Sequence, residues 1–316
     1  SSASYHSIMT AYIIRNLLYT ILILLGVVTV TFCLLYVVPG DPARIMLGQR
    51  ADVQSVEAVR EELGLNKPLY IQYFRFLGKA VQGDLGRSYS TNRDVVETII
   101  DKFPATALLA FSALIISAIL GVMIGIISAV KSYTALDNAS MLFALFGISF
   151  PTFAFGLIMA LVFGFWLKWF PLSGYISEGP SYLVLPMVTL ALRPLAIIAR
   201  ITRSSMMDAM TQDYVRTAKA KGLSAGKVIF KHTLRNALNP IVTTISTSLA
   251  ATLGGAYFIE YIFNWPGIGL LAFDSILKLD FPMIQGTVLF SAVVFVVINF
   301  FVDILYAVLD PKVKLS

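Results

Sequence analysis

The sequence is short of charge: of its 316 residues only 13% are Asp, Glu, Lys or Arg, about half the share usual in a soluble domain. It has one cysteine, Cys33, so no internal disulfide can form and no cysteine-based zinc site can be built. The two histidines, His6 and His232, leave little for a metal-ligating pore, because borderline metals seek His and Cys. The long apolar runs are almost free of titratable groups, with Glu260 and Asp303 falling only at their ends. Ionisable groups at membrane depth are costly and therefore usually functional, so their scarcity makes protons and sodium poor driving ions. H-E-x-x-H and P-loop patterns are absent. The run Gly222 to Lys227 approximates a phosphate loop, but it is one residue short, is followed by Val228 instead of Ser or Thr, and follows no strand. If ATP drives this protein, another subunit hydrolyses it, and no cofactor is expected on this chain.

What is present is apolar surface. Hydrophobic residues make up 57% of the chain and the mean hydropathy is +0.79, which excludes disorder and places the protein in a bilayer. A membrane-crossing helix needs roughly 20 consecutive apolar residues. Six runs qualify: Leu17 to Val38, Phe103 to Val130, Asn138 to Leu167, Gly179 to Leu192 with a continuation to Ala199, Asn236 to Ile259, and Phe281 to Val302. The fourth is the weakest, because Arg193 and Pro194 interrupt it. The expected fold is an all-α polytopic membrane protein of six transmembrane helices.

An even number of spans puts both termini on one side. That side carries 13 basic residues against five acidic ones, Asp137, Asp208, Asp213, Asp303 and Asp310. The other side carries 11 basic residues, nine of them in one long loop where charge hardly affects translocation. The positive-inside rule therefore makes the first side cytoplasmic, and the net charge of +6 is a topology signal, with no nucleic-acid partner implied. Residues 1–8 are polar and precede Met9, a natural start, so they are set apart from the fold as an appended segment. Residues 9–38 are the N-terminus and first span, read as retained because Pro39-Gly40-Asp41-Pro42 lacks a small-x-small cleavage pattern.

Residues 39–102 form an external segment too long for a structureless loop, balanced at nine basic and nine acidic residues. Val56, Val59 and Leu63 share one helical face and Leu69, Tyr73, Phe76, Leu77 and Ala80 another, with Gly64 and Pro68 between them. Two amphipathic helices that cap the bundle or lie on headgroups are expected, a gate over the path being the sharper reading. Residues 103–316 hold the remaining five spans. Gly121 and Gly125 let a second helix approach closely. Pro151 and Pro186 free carbonyls that only protein or a wet cavity can satisfy. Gly254 and Gly255 predict a pore-facing kink in the fifth span, and with Glu260 and Trp265 they are the candidate pathway or gate residues.

The cytoplasmic loop 200–235 is the most informative stretch. Asp213, Tyr214, Val215, Arg216, Thr217, Ala218, Lys219, Ala220 and Lys221 read as a short helix with an acid at its positive end and bases towards its negative end, and Gly222 supplies a left-handed stop. A second short helix starts at the cap residue Ser224. Helix-glycine-helix, with Ala218 and Ala220 small enough to let a partner approach, predicts a docking knob.

This loop resembles that of the permease subunits of ATP-binding-cassette importers, whose pattern is E-A-A-x3-G-x9-I-x-L-P. Arg216, Thr217 and Ala218 occupy the E-A-A places, Gly222 the glycine, His232 the isoleucine, Leu234 the leucine and Arg235 the proline, so three of seven positions match. The departures are similar to the version in the dipeptide, oligopeptide and nickel branch, D-Y-(V/I)-R-T-A-(K/R)-A-K-G-L followed by H-x-L-R-N-A. Pro39 to Pro42, Leu63-Gly64-Leu65 through Pro68 and Gln72-Tyr73, Gly83-Asp84-Leu85-Gly86, Glu260 with Phe263 to Gly269, and Asp280-x-Pro282 agree as well, covering nearly the whole chain from Met9. The long external segment looks like the first, B-type, of two paired permeases.

The resemblance implies a type I importer half, not itself an enzyme, in the inner membrane. Its implied partners are a second homologous permease, two P-loop ATPases carrying ATP and Mg, and an extracytoplasmic substrate-binding protein. Residues 213–222, with Leu234, would couple to the ATPases. Di- or oligopeptides are the expected cargo, with nickel or another metal carried as a chelate as the alternative within the family and an ion-coupled secondary transporter as the alternative of another class.

Overall fold

Backbone in an apolar medium must satisfy its own hydrogen bonds, which favours helix wherever charge is missing. The structure, a computed structural model, describes residues 2–37, 41–47 and 52–309 and is helical nearly throughout. Among the described residues the one isolated β-bridge pairs Arg87 with Asp94. Ser1, Val38, Pro39, Gly40, Asp310, Lys312 and Lys314, on which parts of the span, motif and charge readings rest, lie outside the described residues.

In chain order the helices are α1 (Ser2–Val37), α2 (Pro42–Leu47), α3 (Val53–Leu63), α4 (Leu69–Val81), α5 (Val95–Val130), α6 (Ala135–Ser149), α7 (Thr152–Met159), α8 (Val184–Met210), α9 (Asp213–Ala220), α10 (Ala225–Lys227), α11 (Arg235–Ile262), α12 (Ile268–Leu277) and α13 (Phe281–Leu309). Residues 2–8, set apart on the sequence, continue α1. Three described helical segments are long and apolar enough to cross a membrane: Val95–Val130, Pro180–Met210 and Phe281–Val302. Two bent pairs raise the number to five, and Leu17–Cys33 within α1 is a shorter apolar stretch. The described residues thus provide three to five spans by length and composition, where the sequence led us to expect six.

The chain divides into two compact units, one of residues up to 105 with 266–297, the other of 106–265 with 298 onward. In the first, the two amphipathic helices form as expected. Asp52 caps α3 by accepting the Ser55 amide at 2.7 Å, and Gly64, left-handed at φ 71°, ends it. Helix α4 turns its aromatic face to α1. Tyr73 Oη lies 2.8 Å from Thr29 Oγ1, and Phe32 meets the Tyr73 ring edge-on at 5.4 Å. Gly83 and Gly86, both at positive φ, then steer the chain into a turn whose centre is Asp280. The Asp280 carboxylate accepts the hydroxyls of Ser88 and Ser90, at 2.5 and 2.8 Å, and the Tyr89 amide at 3.0 Å. Burial, with the Asp280 charge beside it, pushes the Tyr89 phenol up to about 12.

The second unit is organised around α8, which is buried along most of its length. Between helices in a bilayer the hydrophobic effect supplies no attraction, so close van der Waals packing through small residues takes its place. A Cβ on Gly121 would stand 2.9 Å from the Leu195 carbonyl oxygen, and one on Gly125 would stand 2.5 Å from Thr202 Cβ. From α6, Gly147 approaches Ala196 in the same way, at 2.9 Å. Ser117 adds a direct bond from α5, donating to the Ala191 carbonyl at 2.9 Å.

Proline positions behave differently from one another. Pro151 breaks its span: Phe150 before it is extended (φ −78°, ψ 130°), and the axes of Ala135–Ser149 and Thr152–Trp166 meet at 105°. Pro186 is the third residue of α8, which runs on directly from the 3₁₀ turn Pro180–Leu183. Arg193 and Pro194 do not interrupt α8 either. Arg193 is exposed and Pro194 buried in a helix that continues through both, because neighbouring helices hold the turn in place.

Candidate functional site

The loop after α8 is built by local rules. Thr211 Oγ1 donates back to the Asp208 carbonyl at 2.8 Å and closes α8. Gln212 is extended (φ −75°, ψ 152°), turning the chain, and α9 follows with Asp213 in its first turn and Lys219 in its last, the charge order the helix dipole favours. Gly222 takes φ 72°, as the sequence predicted, and the Leu223 amide folds back to the Ala218 carbonyl at 3.4 Å. The Asp213–Arg216 ion pair, at 3.6 Å, is almost fully exposed and contributes little.

Two residues seat α9. Val215 and Ala218 are buried, 1% and 4% exposed, against Val228 and Leu223. This corrects the role given to Ala218: it faces the chain's own interior and is closed to a partner, because a helix this short needs its two apolar positions three residues apart for anchorage. Asp213, Tyr214, Arg216, Thr217, Lys219, Ala220, Lys221 and Gly222 remain on the outside. Leu234 is half-buried against the Met206, Ala237 and Ile241 cluster and supports the loop from beneath. A cavity of about 370 Å³ lies behind α9, lined by Val215, Lys219, Leu223 and Val228 among others.

The expected second short helix is not separate. Ser224 has the extended backbone of a cap but makes no side-chain cap bond, and α10 runs into a π-helical turn, Val228–Leu234, and then into α11. Thr233 Oγ1 reaches the Val228 carbonyl five residues back, at 3.0 Å, within that wider turn. The seat under α9 is therefore the first part of a long helical element that continues, with a bend, to Ile262.

Behind the loop lies a cluster that sequence reasoning missed. Asp137, 1% exposed, receives Arg203 Nε and Nη2 at 2.6 and 2.7 Å, the Tyr133 amide at 2.8 Å and the Ser128 hydroxyl. Thr134 caps α6 just ahead of it, and Tyr133 sits at φ 62° to turn its amide inward. A positive-inside count treats Asp137 and Arg203 as loop charges. The available signal was Asp137 three residues after a capping Thr at the foot of a span.

The candidate gate residues all lie in the second unit. The helix axis bends by 47° between Ala225–Gly254 and Ala256–Ile262, at the Gly254-Gly255 pair. Glu260 and Trp265 are fully buried. The Trp265 amide donates to the Glu260 carbonyl at 2.8 Å, and the indole meets the Tyr175 ring edge-on at 4.8 Å. Among the described residues no group of three or more His, Cys, Asp or Glu is placed to hold a metal ion.

Similarity to known proteins makes this helical membrane protein a transport permease. Residues 121–315 match the family described as binding-protein-dependent transport system inner membrane component, and residues 9–110 match the N-terminal part of such components. The chain is 41% identical over 306 residues to the glutathione transport system permease protein GsiC of Escherichia coli O6:H1 strain CFT073, covering 97% of this chain and 99% of that one. It is 40% identical to the dipeptide transport system permease protein DppB of Alkalihalophilus pseudofirmus, over 97% of this chain and the whole of that one. A crystal structure of an amino acid ABC transporter with histidines shares the fold at TM-score 0.51 and 14% identity, over 69% of this chain and 94% of that one. The protein belongs to the binding-protein-dependent ABC importer permeases, in the peptide and nickel branch, and is an inner membrane component.

Proposed function

We propose that this chain forms half of the translocation pathway of an ATP-driven importer of short peptides, glutathione-sized or smaller. The observation that carries the substrate class is the match along 97% of the chain to permeases named for glutathione and for dipeptides. In this reading six helices cross the membrane with both termini cytoplasmic, α1 and the two bent pairs joining the three long spans. A second homologous permease completes the pathway, an extracytoplasmic binding protein delivers the peptide, and two ATPase subunits bind ATP and Mg.

Coupling runs through the outward face of α9. Tyr214, Arg216, Thr217, Lys219 and Lys221 are exposed on a helix whose opposite side is fixed by Val215 and Ala218, so a partner that grips the face also moves what the anchors touch. The Gly254-Gly255 bend and the buried Glu260 fall in the far part of the same helix, with Trp265 just past its end, where movement of α11 would open or close a path. This fits an importer in which ATPase closure draws the coupling helices together and turns the pore outward.

The test is uptake by the reconstituted complex with its binding protein. ATP-dependent accumulation of labelled glutathione or dipeptides is expected. Accumulation of a nickel chelate in their place would move the chain to the metal side of the branch, and uptake that follows an ion gradient without ATP would contradict the reading.

A further inference from the structure

The reading above needs the pull on α9 to reach the membrane helices, yet α9 is joined to α8 by the two-residue turn Thr211-Gln212, and a helix anchored only on Leu223 and Val228 could carry that seat along and leave α5, α6 and α8 in place. What stands behind the turn decides the matter. Ten residues before Asp213, Arg203 leaves α8 and forks onto Asp137 at the start of α6. The same carboxylate holds Ser128 near the end of α5 and the Tyr133 amide of the α5–α6 turn. One buried anion thus joins three helices at the end nearest the loop. Along the rest of their length these helices touch through Gly121, Gly125 and Gly147, where backbone meets side chain with no flexible cushion between.

We propose that the Asp137–Arg203 pair is a positioning element for coupling: it locks α5, α6 and α8 into one lever, so that displacement of α9 is delivered to the pathway instead of being lost at the loop. The assignment rests on the importer reading and adds to it two residues outside the coupling loop. A bidentate guanidinium–carboxylate pair suits the task because it resists rotation as well as separation. A single lysine in place of Arg203 would keep the charge and lose the fork.

The experiment uses the whole reconstituted complex with its binding protein and reads ATP hydrolysed per peptide imported. The unaltered complex is measured first; if it shows no ATP-driven uptake, the importer reading itself fails, and the lever has nothing to transmit. With coupling established, Arg203→Lys and Asp137→Asn are compared with it. The lever predicts that hydrolysis persists while import drops, so that ATP consumed per peptide rises about tenfold, within the range seen for residues that carry coupling. A purely structural pair predicts equal losses in both, with the ratio unchanged, and that result would overturn the proposal. Hydrogen exchange on the unaltered complex gives an arm independent of any variant. On trapping with a non-hydrolysable nucleotide, protection of 128–137 and of 199–210 should change together, and a change confined to 199–210 would equally overturn it.

Discussion

Arg203 and Asp137, 66 positions apart in the chain, meet through two parallel bonds of 2.6 and 2.7 Å. Asp137 is almost completely buried while Arg203 keeps about a fifth of its side chain exposed. Removing one partner of such a pair leaves a charge without its counterion in a poor dielectric. Asp137→Ala is therefore expected to destabilise the second unit by about 3 kcal/mol, the lower end for a buried pair because Arg203 can still reach solvent. Thermal unfolding of the detergent-purified subunit checks this; an unchanged midpoint would show that the pair contributes nothing to stability.

The stop at Gly222 separates backbone from side-chain effects unusually well. Nothing lies within 4 Å of where a Cβ would stand, so a side chain has room, and only φ 72° resists it. Gly222→Val should cost about 1–3 kcal/mol of local strain and lower ATP-driven uptake at normal expression. Gly222→Asn, which tolerates a left-handed backbone, should restore most of the activity. Equal transport by the Val variant and the unaltered protein would remove the need for a left-handed stop.

Helix contact in the second unit predicts a contrast between glycines. A methyl group on Gly125 would overlap Thr202 Cβ at 2.5 Å and the Ala199 carbonyl oxygen at 2.6 Å, whereas Gly26 in α1 has nothing within 4 Å. Gly125→Ala should destabilise by about 1–3 kcal/mol through overpacking. Gly26→Ala should be neutral or slightly stabilising as judged by the same melting experiment.

Asp280 holds the turn around Ser88, Tyr89 and Ser90. Asp280→Ala leaves those donors without their acceptor, at about 1–3 kcal/mol for a buried group deprived of its partner. The turn should loosen, and limited trypsin digestion should cut faster after Arg87 and Arg93. An unchanged digestion pattern would mean that the bridge between Arg87 and Asp94 is enough to hold it.

Features encoded within a few residues were legible from the sequence. The α3 and α4 faces, the Gly64 and Gly222 stops, the Gly121 and Gly125 contacts and the kink at Gly254-Gly255 each follow from spacing or backbone freedom, and each is present. Features that depend on what lies opposite were not. Ala218 looked available because a helix reveals its faces in sequence but not which one the rest of the chain covers. Asp137 and Arg203 looked like loop charges because a topology count treats every basic residue near a span as solvated. The merger of α10 with α11 was hidden by the π turn at Val228–Leu234, which has no composition signal of its own.

The measurement that tests the account most directly is photo-crosslinking from α9 in the assembled complex, with Cys33 first replaced by Ser so that introduced cysteines can be labelled singly. Probes at Arg216→Cys and Thr217→Cys, on the outward face, should form adducts with an ATPase subunit, and the yield should change with bound nucleotide. A probe at Phe230→Cys, exposed on the π turn beyond α9, sets the background. Adducts no stronger at Arg216 and Thr217 than at Phe230, in a complex that still hydrolyses ATP during import, would contradict coupling through this helix.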